Sequence, residues 1–187
     1  RIALEAASRT NATINLRIPS WMTGPVDLAI NGKKESVATR PGSYLSITRR
    51  WQTGDIIELR LPLGLRVRPS MDDPTTVSLF YGPVILAGEL GCDKMPASDI
   101  AGKDAFVDAP AWPVPVFVSA TPDKPSLPVE RREADAPLVF HARMTDPVDR
   151  QEVRVRLSPL HRVHHQRFAI YWKVVTSEHL KPSKPNP

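Results

Sequence analysis

Proline is the residue type that most restricts what this chain can fold into. Twenty of its 187 residues are proline, roughly twice the usual share of about 5%. Proline fixes φ and removes a backbone hydrogen-bond donor, so it is poorly tolerated inside helices and in central strand positions. The prolines therefore leave little room for long helices and favour strands joined by rigid loops.

The first part of the chain alternates between apolar and polar residues, as half-buried strands do. In residues 12–18 (ATINLRI), one side of the predicted strand is polar and the other is apolar, with Ile14, Leu16 and Ile18. Further along, Asn31 and Gly32 both tolerate positive φ, which is the strongest short signal for a tight turn between strands. We therefore predict a hairpin over residues 25–38.

The stretch from Ser43 to Leu90 is the centre of the pattern and predicts four strands. Its β-branched and aromatic residues are bounded by Gly, Pro and Asp, and the last of its strands runs from Thr76 to Leu86, interrupted only by Gly82-Pro83. Strand patterns return at residues 138–142, 152–157 and 167–175. Together these patterns predict an all-β protein, an antiparallel β-sandwich with a second, smaller β-domain.

The spacing of the prolines also suggests a division of the chain. We predict a β-sandwich domain over residues 1–91 and a second β-rich region over residues 137–178. Between them, eight prolines from Pro96 to Pro137 predict an extended linker over residues 92–136 that adds an edge strand or two. Residues 179–187 are predicted to be a flexible tail.

Charge and cysteine content exclude several classes of function. The net charge of +5 is spread along the chain without a basic block, so we predict no nucleic-acid partner. No apolar run approaches the length of about 18 residues that a membrane span needs. One cysteine, Cys92, excludes an internal disulfide and a cysteine-built zinc site. The chain starts at Arg1 inside an alternating segment, which predicts a piece of a longer polypeptide.

Two groups of residues have the chemistry of a catalytic or metal site. His161, His164 and His165 are close in sequence, but adjacent residues of an extended segment face opposite sides, so at most one of the last two joins His161. Asp72 and Asp73 precede a proline, where turns favour aspartate. We interpret both groups as turns and predict no metal, cofactor or catalytic residue. An enzyme that uses one of them remains a minor hypothesis.

The tryptophans are the residues with which a protein would stack on a sugar ring, although they also fill cores. Trp51 and Trp172 lie in or beside apolar strands and are predicted to be core residues. Trp21 and Trp112 lie in proline-rich loops. These two are the predicted carbohydrate contacts.

Several segments, taken in order, resemble one enzyme family over most of the chain. They are LRIPSW (16–21), the hairpin with Asn-Gly at 31–32, GSYLSITRRWQTGDIIELRLPL (42–63), RVRPSMDDP (66–74), LFYGPVILAGELG (79–91) and HHQRFAIYWKV (164–174). This order resembles the region that follows the catalytic barrel in the β-L-arabinofuranosidase family, glycoside hydrolase family 127 and its relatives. In that family an (α/α)6 barrel carries the active site, with a cysteine nucleophile in a zinc site, and β-sandwich domains follow it. No segment of this chain matches that site, so Cys92 is not assigned the role.

The resemblance implies a non-catalytic accessory region whose partner is the catalytic barrel of its parent chain. An alternative is an autonomous carbohydrate-binding module that binds an arabinose-containing glycan through Trp21 and Trp112. An exposed sheet edge could also hold two subunits together as a homodimer. The resemblance further implies a bacterial protein that is periplasmic or secreted.

Overall fold

A computed structural model describes residues 1–6, 8–93, 95, 113–131 and 138–180. In these ranges the chain forms fifteen strands and two short 3-10 helices, at Leu160–Arg162 and Ser177–His179. The prediction of an all-β fold is confirmed. The strands are β1 Ile2–Ala3, β2 Thr10–Ile18, β3 Asp27–Ile30, β4 Lys33–Glu35, β5 Ser43–Trp51, β6 Ile56–Arg60, β7 Leu65–Pro69, β8 Thr76–Tyr81, β9 Val84–Glu89, β10 Phe117–Val118, β11 Val129–Arg131, β12 Phe140–Thr145, β13 Glu152–Pro159, β14 Phe168–Ala169 and β15 Trp172–Val175.

The chain divides into two compact units, an amino-terminal unit (Arg1–Leu65) and a carboxy-terminal unit (Arg66–Pro187). The sequence predicted a first domain that ended at residue 91, so the boundary differs from the predicted one. Strands β8 and β9 lie beyond the boundary because they pair with β15 and β13 from the end of the chain. Local alternation reveals a strand but does not reveal its distant partner.

The amino-terminal unit contains two sheets, with strand orders β1-β6-β3-β4 and β2-β5. Every second residue of β2 from Ala12 to Ile18 is apolar, so this part of the strand buries one side against the other sheet. Both sheets supply side chains to the core between them. Its buried residues are Leu16, Leu28, Ile30, Trp51 and Ile57.

The predicted hairpin in this unit is confirmed. Ile30 pairs with Lys33 across a two-residue turn, where Asn31 and Gly32 have φ of 52° and 77°. These values are the left-handed conformation that the Asn-Gly pair adopts at low cost. The turn fixes the register of β3 and β4, and this register directs Leu28 and Ile30 into the core.

The carboxy-terminal unit is built on one large sheet that curls around its own core. Its strand order is β10-β15-β8-β9-β13-β12-β11, with β7 beside β8 and β14 beside β9. The β10–β15 pair is parallel, whereas the pairs β15–β8, β8–β9, β9–β13, β13–β12, β12–β11 and β14–β9 are antiparallel. Val116 and Thr145 exchange two backbone hydrogen bonds of 2.9 Å between the β10 segment and β12, so the two sides of the curled sheet are joined.

Trp172 lies at the centre of this core. Its side chain is fully buried, and its ring makes an edge contact with Phe117 at a centroid distance of 6.3 Å. Gly88 on β9 faces the indole so closely that a Cβ atom there would overlap it, and would lie 3.0 Å from Val155. Phe117 belongs to the predicted linker, yet it is a core residue of this unit.

Two predicted strands are each divided in the structure. The run from Thr76 to Leu86 forms β8 and β9, which turn at Gly82-Pro83 and pair Tyr81 with Val84. The run over residues 167–175 forms β14 and β15. In the first case proline at the turn ends the strand because it cannot donate to a ladder.

Candidate functional site

The adjacent carboxylates Asp72 and Asp73 lie in the loop between β7 and β8. Asp73 accepts hydrogen bonds from the backbone N–H of Thr75 (3.0 Å) and from the hydroxyls of Thr75 (2.6 Å) and Thr76 (2.7 Å). It also forms an ion pair with Lys173 on β15. The Lys173 ammonium, followed by the two hydroxyls, lowers the pKa of Asp73 well below its usual range. Asp73 therefore stays ionised and organises the turn.

Asp72 has a similar local role. The hydroxyl of Ser70 donates a hydrogen bond to it, and this bond is the largest cause that lowers the pKa of Asp72. Because both carboxylates favour the ionised form, neither is suited to donate a proton as a general acid. These contacts support the interpretation of the pair as a turn.

A third carboxylate, Asp55, is buried in the turn between β5 and β6, with 4% of its surface exposed. It accepts hydrogen bonds from the side-chain amide of Asn31 (2.8 Å) and from the backbone N–H of Gln52 (2.9 Å), and these two bonds lower the pKa of Asp55. The side-chain oxygen of Asn31 in turn accepts a hydrogen bond of 2.8 Å from the backbone N–H of Ile56. Asn31 thus connects the β3–β4 turn to the β5–β6 turn.

The histidines lie at an exposed turn that follows β13. His161 is in the first 3-10 helix, and the rings of His164 and His165 are 6.4 Å apart. The thiol of Cys92 donates a hydrogen bond of 3.2 Å to the backbone carbonyl of His165. Across the described ranges, no three side chains from His, Cys, Asp and Glu form a group that could hold a metal ion.

The tryptophans divide between core and surface. Trp51 and Trp172 are buried, as predicted, and the indole N–H of Trp51 donates a hydrogen bond of 3.0 Å to the carbonyl of Ala12. Trp21 is half-buried and packs against a small core cluster of Ile18, Met22 and Val26. Trp112, the other predicted carbohydrate contact, lies outside the described residues.

The solvent side of the β2-β5 sheet is a surface that the sequence interpretation did not single out. The two strands pair over nine residues in register, and their outward side chains form four cross-strand pairs. We call this surface the polar face. Its pairs are Asn11 with Arg50, Thr13 with Thr48, Asn15 with Ser46 and Arg17 with Tyr44, and all eight residues are exposed.

The polar face is organised by contacts across the strands. The hydroxyls of Thr13 and Thr48 are 2.7 Å apart. The guanidinium carbon of Arg17 lies 5.7 Å from the ring centroid of Tyr44, whose side chain is 60% exposed. The sequence contained a signal for this surface, because the segments TNATINLRI and SYLSITRRW contain no acidic residue. The alternation in β2 alone predicts only that one side of this strand faces solvent.

The opposite sheet of the same unit has a different outer surface. Around the small side chain of Ala29, a hollow of about 280 Å³ is lined by residues that include Asp27, Lys34, Glu58 and Arg60. Asp27 and Lys34 approach to 3.8 Å. Positive and negative charges are balanced there, whereas the polar face carries positive charge alone.

Comparison with protein families accounts for nearly the whole chain. Residues 1–63 match the family described as β-L-arabinofuranosidase, GH127 middle domain. Residues 66–174 match a family described as a domain of unknown function. The chain therefore belongs to that second family over more than half of its length, and its first 63 residues are similar to the middle domain of glycoside hydrolase family 127. The two matched ranges meet at the boundary between the two structural units.

Solved structures share the fold of this chain at low sequence identity. A GH127 β-L-arabinofuranosidase from Geobacillus stearothermophilus T6 is 20% identical with a TM-score of 0.60, over 92% of this chain and 28% of that one. A GH127 β-arabinofuranosidase is 17% identical with a TM-score of 0.56, over 89% and 28% of the two chains. A third, described as a glycoside hydrolase, is 16% identical with a TM-score of 0.57, over 88% and 28%. The chain thus spans less than a third of these relatives.

No curated protein matches this chain. Within the part of the chain that the structure describes, no helix has the length and apolar character to cross a membrane.

Proposed function

We propose that this chain is a non-catalytic accessory portion of a β-L-arabinofuranosidase-like glycoside hydrolase, and that it supports a catalytic barrel in another part of the parent protein. One observation carries the proposal. Residues 1–63 match a domain described as the middle domain of such an enzyme, and the chain spans 28% of each solved relative named above. An accessory domain next to a catalytic one is the simplest arrangement that fits both facts.

The geometry of the acidic residues supports a structural role. Asp55 and Asp73 are each engaged by several donors within a turn, and their pKa values are lowered. A glycoside hydrolase commonly needs one carboxyl group that is protonated at working pH. These carboxylates have the opposite tendency.

The test is an assay of the purified chain on β-L-arabinofuranosides. We expect no release of arabinose above the buffer control. The parent enzyme, assayed with the same substrates, should release it, and removal of residues 1–187 should lower its melting temperature. Reproducible hydrolysis by the chain alone would contradict the proposal, as would a parent enzyme whose stability does not change when these residues are removed.

The second function considered from the sequence is an autonomous carbohydrate-binding module that uses Trp21 and Trp112. Trp21 packs against a core cluster, which leaves only part of its indole for a sugar ring. Quenching or protection of Trp21 fluorescence by arabinan would support this function. A flat titration would count against it.

A further inference from the structure

The polar face carries positively charged side chains and no negatively charged ones. Strands β2 and β5 contain three arginines, Arg17, Arg49 and Arg50, and no aspartate or glutamate. Arg17 and Arg50 lie on the polar face, at opposite ends of its four pairs. At a rise of about 3.3 Å per residue, these ends are separated by roughly 20 Å. The face is therefore an extended surface with a positive group at each end.

Tyr44 supplies an aromatic surface at one end. Its ring is the most exposed aromatic side chain among the described residues of the amino-terminal unit. The Arg17 guanidinium lies within cation–π distance of it, at 5.7 Å from the centroid. A ring and a guanidinium held next to each other can contact the apolar side of a sugar and an anionic substituent of the same sugar.

The two central pairs supply groups for neutral hydroxyls. Ser46 donates a hydrogen bond of 2.7 Å to the side-chain oxygen of Asn15, and Thr13 and Thr48 share one of 2.7 Å. These bonds fix the rotamers of the four side chains. Hydroxyl oxygens have two lone pairs and an amide nitrogen has two donors, so the pairs can still bind groups above the sheet.

We propose that the polar face binds an acidic polysaccharide, one whose sugars carry carboxylates. Arginine recognises a carboxylate through charge-assisted, bidentate hydrogen bonds, and no acidic side chain on these two strands competes for it. Tyr44 packs against a sugar ring, and the Asn, Ser and Thr side chains bind its hydroxyls. This inference does not depend on the proposed accessory role, because the surface lies within this chain.

Other occupants fit the polar face less well. A second copy bound through the same face would bring like charges together, since both ends of the face are positive. A protein interface of ordinary composition would need an apolar centre, whereas the centre of this face consists of Asn15, Ser46, Thr13 and Thr48. A uronate chain satisfies both the central polar pairs and the terminal arginines.

The test is affinity electrophoresis of the full chain in gels that contain polygalacturonate, at an ionic strength of about 0.15 M so that distant charges are screened. Neutral arabinan and duplex DNA serve as comparison ligands at matched mass concentration. We expect polygalacturonate to retard the chain and the other two to leave its mobility unchanged.

Variants locate the binding surface. Tyr44→Ala, Arg17→Gln and Arg50→Gln should each weaken retention by polygalacturonate by about tenfold, the loss expected for one charge-assisted or stacking contact. Arg60→Gln, on the outer surface of the other sheet of the same unit, is the matched control because it removes the same charge. It should retain the affinity of the wild type. Thermal unfolding followed by circular dichroism shows whether each variant is folded, and the two polar-face arginine variants carry the test if Tyr44→Ala is not.

The proposal is overturned if polygalacturonate does not retard the wild-type chain. Equal retardation by DNA would show adsorption of any polyanion. Equal retardation by arabinan would show that the arginines do not select an acidic ligand. If Arg60→Gln weakens binding as much as Arg17→Gln, the polar face is not the binding surface.

Discussion

The two units of this chain form their cores in different ways. In the amino-terminal unit the core lies between two separate sheets, and its buried residues come from β2, β3, β5 and β6. In the carboxy-terminal unit one sheet curls on itself, and its core centres on Trp172, which Phe117 and Gly88 contact closely. Both cores contain a buried tryptophan, but the ring of Trp172 lies so close to Gly88 that the carboxy-terminal core has no space for an added atom there.

The largest expected effect comes from a methyl group added at the closest contact. Gly88→Ala places a Cβ atom where the Trp172 ring already lies, beside backbone that belongs to a paired strand. We expect the free energy of unfolding to fall by about 3 kcal/mol. Urea unfolding followed by near-UV circular dichroism measures it.

Gly24→Ala is the matched control in the amino-terminal unit. A Cβ atom there would meet its nearest neighbour, Pro62, at an ordinary distance of 3.7 Å, so stability should change by no more than about 0.5 kcal/mol. If the two alanine variants are equally stable, the contact between Gly88 and Trp172 does not limit the volume of the carboxy-terminal core.

An intermediate effect is expected where a polar group connects two turns of the amino-terminal unit. Asn31→Gly keeps the positive φ that the turn needs and removes the amide that bonds Asp55 and the Ile56 N–H. Because buried Asp55 then loses a donor, the melting temperature of this unit should fall by about 5 °C. Calorimetry should show the change in one transition only. Lys33→Ala, at an exposed position two residues further along, is the control, and an equal loss there would show that the amide contributes nothing.

The smallest expected effect appears only in acid and concerns the carboxy-terminal unit. The pKa of Asp73 is lowered in the folded chain from its usual value of 3.8, mainly by Lys173. Its contribution to stability is therefore fully present above about pH 4 and is lost as the pH falls below that value. Asp73→Asn should flatten the decline of stability below about pH 4.

Urea midpoints measured from neutral pH down to about pH 2 test this prediction. Asp123→Asn, which changes an exposed carboxylate of the same unit, is the control and should leave the decline as it is in the wild type. A decline of the same slope in Asp73→Asn would contradict the assignment.

Much of the amino-terminal unit could be predicted from sequence because its information is local. The Asn31-Gly32 turn and the alternation of Ile14, Leu16 and Ile18 determine a register within a few residues. The carboxy-terminal unit depends on partners that are far apart, as Asp73 and Lys173 are. No local pattern indicates that Gly88 must be small to admit Trp172, or that the unit begins at Arg66.

The polar face, too, could be predicted from the sequence only in part, because its pairs join residues of two separate strands. The sequence indicated that the β2 residues face outward, but the partner of each one depends on the β5 register, which pairs Arg17 with Tyr44. The sequence predicts sugar stacking by tryptophans. In the structure Trp21 packs on a core cluster, and the exposed ring belongs to Tyr44. The residue types indicated that the chain could bind a sugar, but the strand pairing determined which residues lie together on the surface.

The backbone join between Val116 and Thr145 has a consequence for the order in which the carboxy-terminal unit folds. Val116 and Thr145 lie far apart in the sequence, whereas β12 and β13 are joined by a short turn. The loop-closure entropy of such distant contacts delays them. We therefore expect the amide protons of Val116 and Thr145 to gain protection from solvent exchange later than those within the β12–β13 hairpin.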